Sequence, residues 1–297
     1  MSNTYLYSVN PDTPPTLEVA PGEAFQIDVA GSLAEVDDVT TIPTPFTPEN
    51  EGHPLSPIAG PIVVRGAEPG DAVTIELIEI TAHEDGVTAI LNNFGVLKSE
   101  FPDPKAVACP VRDGMAWFGD RIPVPIAPNL GTIATMPPEG YRAAYAGPYG
   151  GDFDQKDVCA PGRVLLPVIH SGALVFFADP HAAIADGIIS GTGVECGATV
   201  HARIHLHKQR EVPRPVIEQP GTVQVLGMGP SVDEATEDAA RAAVDFVATH
   251  TDLSPEEAYM LLGIVGEVRV GTSPRPMMAA RIIIPRPVLE AAGFKDV

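Results

Sequence analysis

The sequence predicts a mainly β protein, built as a sandwich or barrel, with helices only near its C-terminal end. Three observations lead there. The 297 residues include 32 prolines and 28 glycines, which cut the chain into short segments. Those segments alternate apolar and polar residues or are apolar throughout, the two patterns of strands. Helix-capping sequences occur only late, at Ser231 and Ser254.

Taken in order, LEVAPGEAFQIDVAG places Phe25, Ile27 and Val29 in alternation after a Pro-Gly turn. GPIVVRGAEPGDAVTIELIEI repeats the plan, with strands around Ile62 to Val64 and Val73 to Ile80. RVLLPVIHSGALVFFAD reads as a hairpin turning at Ser171-Gly172, and arms apolar on both faces belong inside a sandwich or barrel. Ser231-Val232-Asp233-Glu234 then caps the Ala-rich EATEDAARAAVDFVATH. Ser254-Pro255-Glu256-Glu257 caps AYMLLGIVGEV, in which Ala258, Leu261, Leu262 and Val265 recur at helical spacing and should face inward. The expected division is a β-rich body over residues 1–220 carrying the site and a helix-containing part over 221–297 packed on it, with the break near Pro220-Gly221.

A hydrophobic content of 44% is enough to bury a core, which excludes a disordered chain. The excess of 39 acidic over 18 basic residues repels phosphate backbones and anionic lipid, so neither nucleic acid nor a membrane is an expected partner. No apolar run approaches the roughly 20 residues that span a bilayer, and the N-terminal MSNTYLYSVNPDTPPTLEV lacks the basic-then-apolar pattern of a secretory signal. Cys109, Cys159 and Cys196 are odd in number and far apart, as reduced thiols are. A cytoplasmic location is therefore expected.

Chemistry concentrates in three loops. FFADPHAAIADG brings Asp179, His181 and Asp186 to the end of an apolar strand, Tyr149-Gly150-Gly151-Asp152-Phe153-Asp154 sets two carboxylates beside glycines, and Gly52-His53-Pro54 adds an imidazole. Hard oxygen and imidazole donors converging from different loops suit a divalent metal, although an Asp beside Gly is more often a turn residue. On the segment HARIHLHK, His201, His205 and His207 share a strand face with Arg203, which reads as the polar outer face of an edge or surface strand. There is no GxSxG, P-loop or GxGxxG motif after a strand.

The order of these segments resembles the acetamidase/formamidase family of amide hydrolases, from about Leu17 to Pro285. The stretch HPLSPIAGPIVVRGAEPGD, His53 to Asp71, is similar to the family's HPxxGPIxVxGAEPGD block, with a short insertion before Gly60-Pro61. Residues Gly150 to Asp154 are similar to its GGNxD block, and Ala178 to Ile188 to its GDxHAAxGDGE block. SPEEAYMLLGIVGEVRV resembles its late helix, with Gly266-Glu267 where the family has Gly-Asp. The resemblance implies a β-sandwich-like body with an appended smaller α/β part near the C-terminus. It also implies hydrolysis of a linear amide to a carboxylate and ammonia, and a site for a divalent metal, zinc or calcium, held by Asp154, His181 and Asp186. The implied partners are a small-molecule amide and further copies of the chain in a homo-oligomer.

Three departures bear on catalysis. Ile188 replaces the Glu of GDGE, Asp152 replaces the Asn of GGNxD, and Ala178 replaces the Gly before the first Asp of GDxH. Metal-assisted amide hydrolysis needs a base for the attacking water, usually a carboxylate. Asp152, Glu195 and Glu267 are the candidate substitutes, so the expected catalytic set is Asp152, Asp154, His181, Asp186 and Glu195. The loss at Ile188 leads us to expect weak turnover of formamide and acetamide. The alternative reading is a non-catalytic relative that binds a small molecule or a partner.

Overall fold

The computed structural model describes residues 6–33, 36–47, 55–139, 145–272 and 276–295. Its body is a β-sandwich of two eight-stranded sheets, with a small three-stranded sheet of Val111–Arg112, Met115–Phe118 and Ile122–Pro125 beside it. The first sheet runs in the order Leu17–Val19, Ala59–Val64, Val175–Ala183, Val194–Glu195, Val87–Ile90 and Lys105–Ala108. Asn129–Ala134 also pairs with Val175–Ala183 and carries Gly150–Asp152 on its other side. The second sheet runs Glu267–Thr272, Met278–Pro285, Thr222–Gly229, Val216–Gln219, Gly162–Pro167, Ala72–Ala82, Ala198–His207 and Ala24–Val29.

Alternation explains the packing. Ala198, Val200, Ala202 and Ile204 are buried while Thr199, His201, Arg203 and His205 between them are only half-buried. Inward residues of both sheets meet in one core: Ile62, Val64, Ile133, Val175 and Phe177 from the first, Phe25, Ile75, Leu77, Val164 and Val200 from the second. Phe25 and Phe177 stack across the interface at 6.5 Å between ring centroids. Each such side chain contributes about 1.5–3 kcal/mol of burial free energy.

The segments on either side of Ser171-Gly172 are not paired with each other. Gly162–Pro167 lies in the second sheet and Val175–Ala183 in the first, so the turn crosses the sandwich. Strands apolar on both faces are satisfied by any interior position, and here each is flanked by strands of its own sheet.

Both predicted helices form, at Val232–His250 and Pro255–Val265, and a short third follows at Arg286–Ala291. Ser254 and Glu257 make the reciprocal capping box; at Ser231 the hydroxyl instead donates to the Glu234 carboxylate while accepting the Glu234 amide. Ala235, Ala239 and Ala243, four apart, face the outer surface of the second sheet. The approach is close enough that a Cβ at Gly227 would stand 2.0 Å from the Ala239 amide nitrogen. On the second helix Ala258 and Leu262 are buried, with Val265 packed against the same cluster and Leu261 half-buried. Pro220-Gly221 links Val216–Gln219 to Thr222–Gly229, neighbouring strands of one sheet, so hydrogen bonding runs straight across the expected break. Among the described residues no helix is long and apolar enough to cross a membrane.

Candidate metal centre and active site

Three adjacent strands of the first sheet build the site. In the register of Asn129–Ala134 against Val175–Ala183, Leu130 faces Pro180 and Asn129 faces His181, so Gly131 lies opposite Asp179. On its other side Thr132 pairs with Asp152, and the chain turns just beyond, where the amides of Phe153 and Asp154 both donate to the Gly131 carbonyl. Asp154 and Asp179 adopt the left-handed region, with φ of 42° and 57°, which turns their carboxylates toward a common point.

The result is a buried group of Asp154, Asp179 and His181 whose donor atoms lie within 4.8 Å of one another. A Cβ at Gly131 would stand 2.5 Å from Asp154 Oδ1, 2.7 Å from Asp179 Oδ2 and 2.9 Å from His181 Cε1. Only glycine leaves that space open. Two carboxylates and an imidazole are a donor set for a divalent cation, and the imidazole favours zinc over calcium, which prefers oxygen alone. The electrostatics agree. Burial alone lowers the His181 pKa, but Glu195, Asp179 and Asp154 outweigh it and raise the value to about 10. Three carboxylates around one imidazole are a site short of positive charge.

Asp179 and His181 have supporting partners. The Ser32 hydroxyl donates to Asp179 Oδ1, as does Ser56 Oγ at 3.1 Å, and the two hydroxyls are 2.7 Å apart. Glu195 is the cross-strand neighbour of His181, with Oε1 3.2 Å from His181 Nε2 and accepting the Gly193 amide at 2.8 Å. Burial pushes the Glu195 pKa up against the pull of His181. His181 Nδ1 and Glu195 Oε2 are buried and find no hydrogen-bond partner among the described residues.

Of the residues singled out in the sequence, Asp154, His181 and Glu195 come together here. Asp186 does not join them: its carboxylate binds the Arg281 guanidinium at 2.9 and 3.1 Å, and Asp179 takes the expected place. The physical reason is alternation. The strand continues through Pro180 to Ala183, so Asp179 and His181 two apart share a face, whereas Asp186 lies beyond the strand's end. That spacing was the signal available in the sequence; nothing there marks Ser32 or Ser56.

Asp152 is buried in its strand and lies outside the group of three, while Glu267 is exposed and paired with Arg269. Ile188 is buried in the turn after Asp186. His53 lies outside the described residues. Burial pushes the Cys196 thiol up to about 12, unsuited to a nucleophile. The histidine strand is internal, between Ala72–Ala82 and Ala24–Val29, with His205 and Arg203 on Glu76 and His207 on Thr74.

The sequence pattern of the Acetamidase/Formamidase family matches residues 6–140 and 123–290. The acetamidase of Mycolicibacterium smegmatis is 24% identical over 347 aligned positions, covering 89% of this chain and 84% of that protein. The formamidase of Methylophilus methylotrophus is also 24% identical, covering 76% of this chain and 72% of its own length. The crystal structure of an acetamidase from Bacillus halodurans superposes with a TM-score of 0.89 at 27% identity, covering 97% of both chains. Matched along nearly its whole length, the chain belongs to the acetamidase/formamidase family of amide hydrolases.

Proposed function

We propose that this chain hydrolyses a short linear amide, of the size of formamide or acetamide, to a carboxylate and ammonia, with a zinc ion held by Asp154, Asp179 and His181. The observation that carries the reading is the buried excess of three carboxylates over one imidazole, which a divalent cation balances. When bound, such an ion supplies Lewis-acid polarisation of the amide carbonyl. Glu195, the buried cross-strand neighbour of His181, takes the proton of the attacking water and returns it to the departing nitrogen. It offers the carboxylate that Ile188 does not, so small amides are turned over in spite of that substitution. Ser32 and Ser56 hold Asp179 in its orientation.

Elemental analysis followed by an ammonia-release assay tests this. The purified protein is expected to carry about one zinc per chain, to lose turnover of formamide and acetamide on chelation, and to regain it with zinc. A metal-bearing protein that releases no ammonia from any short amide favours the non-catalytic alternative, and activity indifferent to chelation overturns the metal reading. Three free cysteines, two of them buried, support a reducing compartment, the cytoplasm. Exposed Tyr259, Met260 and Ile264 on one helix support self-association, which a single-chain mass in light scattering would overturn.

A further inference from the structure

Arg281 is fully buried on Met278–Pro285, in the second sheet, yet its guanidinium reaches the two segments that carry the candidate ligands. Nε donates to Gln224 at 2.7 Å, Nη1 to the Gln155 carbonyl oxygen Oε1, and Nη2 to Asp157 at 2.9 Å and to both oxygens of Asp186. Two carboxylates and two carboxamides therefore compensate a charge that would otherwise be costly to bury.

The contact with Gln155 leads directly to the site. With its oxygen taken by Arg281, the Gln155 carboxamide must present nitrogen on its other side, and Nε2 donates to the Phe153 carbonyl at 3.0 Å. That carbonyl belongs to the peptide bond preceding Asp154, whose φ of 42° lies in the left-handed region that non-glycine residues disfavour. Gly271 makes room: a Cβ there would stand 1.7 Å from Gln155 Nε2 and 2.6 Å from the Phe153 oxygen. The same strand holds the other segment, since Gly187, next to Asp186, donates its amide to the Gly271 carbonyl at 2.9 Å.

We propose that Arg281 is a positioning residue for the metal triad. Its hydrogen bonds reach Gln224, Gln155, Asp157 and Asp186. Through Gln155 it fixes the peptide that aims Asp154, and through Asp186 it anchors the chain that leaves His181. This assigns Asp186 a role as the counter-charge of Arg281, and it rests on the metal reading given above.

The test compares zinc affinity of the metal-stripped full-length protein, wild type against Gln155→Met and Arg281→Lys, by competition with a chromophoric chelator. Gln155→Met matches the side chain's shape and leaves Arg281 paired with Asp157 and Asp186, so it isolates the link to Asp154; Arg281→Lys keeps the charge and removes the fork. We expect Gln155→Met to keep the thermal midpoint of the metal-free protein within a few degrees while weakening zinc binding about 10- to 100-fold. At saturating zinc its kcat per folded protein, with the folded fraction read from circular dichroism, falls while its KM stays near the wild-type value, as expected of a change that acts on the metal and not on substrate binding. Where Arg281→Lys fails to fold, Gln155→Met alone decides. Wild-type protein that binds zinc while Gln155→Met binds it within twofold overturns the positioning role and spares the metal reading. Wild-type protein that binds no zinc overturns both.

Discussion

Two clusters in this molecule combine histidine with carboxylate, and they behave in opposite ways. On the outer face of the second sheet, Glu76 is met by Arg203 and His205, each 3.0 Å away and each partly exposed. One carboxylate faces two basic groups, and the His205 hydrogen bond lowers the Glu76 pKa against its partial burial. At the end of the sandwich interior, Asp154, Asp179 and Glu195 surround His181 alone, all four buried. The outer cluster pairs its one carboxylate with two basic groups; the inner one holds three carboxylates against a single imidazole. Residue types and spacing look alike, and the balance of charge together with burial separates them.

The contrast is sharpest under substitution. His181→Ala or Asp179→Asn is expected to weaken zinc binding by more than about 100-fold and to abolish ammonia release, since each removes a direct donor where even supporting partners are worth about 10- to 100-fold. Retained stoichiometric zinc in either variant, measured by elemental analysis after gel filtration, would break the comparison. Glu195→Gln separates the donors from the proton carrier within the inner cluster. It should keep zinc and lose about a hundred- to ten-thousand-fold in kcat, the usual contribution of positioned acid–base catalysis. If turnover persists within tenfold, another group moves the proton.

The outer cluster should respond least. His205→Ala is expected to leave zinc content and kcat unchanged and to cost no more than about 1 kcal/mol of stability, because Glu76 keeps Arg203 and the pair is partly solvated. Its signature lies in pH. The folded-state pKa of Glu76 is depressed, so its contribution is present above the ordinary carboxylate range and is lost as pH falls through the lowered value. Denaturant melts of wild type and Glu76→Gln should therefore differ at neutral pH and converge on the acid side. A difference that grows on acidification would reverse the assignment.

Much of this was legible in the chain itself. Alternation at Phe25 to Val29 and at Val73 to Ile80 defines strands because a half-buried sheet has a period of two, and Ser231 and Ser254 start helices because their hydroxyls satisfy amides left open in the first turn. The local blocks around Asp154 and His181 pointed to amide hydrolysis and to two of the three donors. Long-range pairing decided the rest. Whether Gly162–Pro167 and Val175–Ala183 form a hairpin or face each other across the core is not encoded in their own pattern, since both arrangements bury both faces. Asp179 and Asp186 are both aspartates flanking His181 in one short block; a guanidinium 95 residues downstream claims the second, and strand alternation turns the first inward beside a glycine that leaves space for it. Glu195 reaches His181 only because the two are cross-strand neighbours. Local sequence determines which residues can be strand, helix or ligand, while the identity of each charge's partner depends on which distant segments share a sheet, and only the tertiary structure sets that.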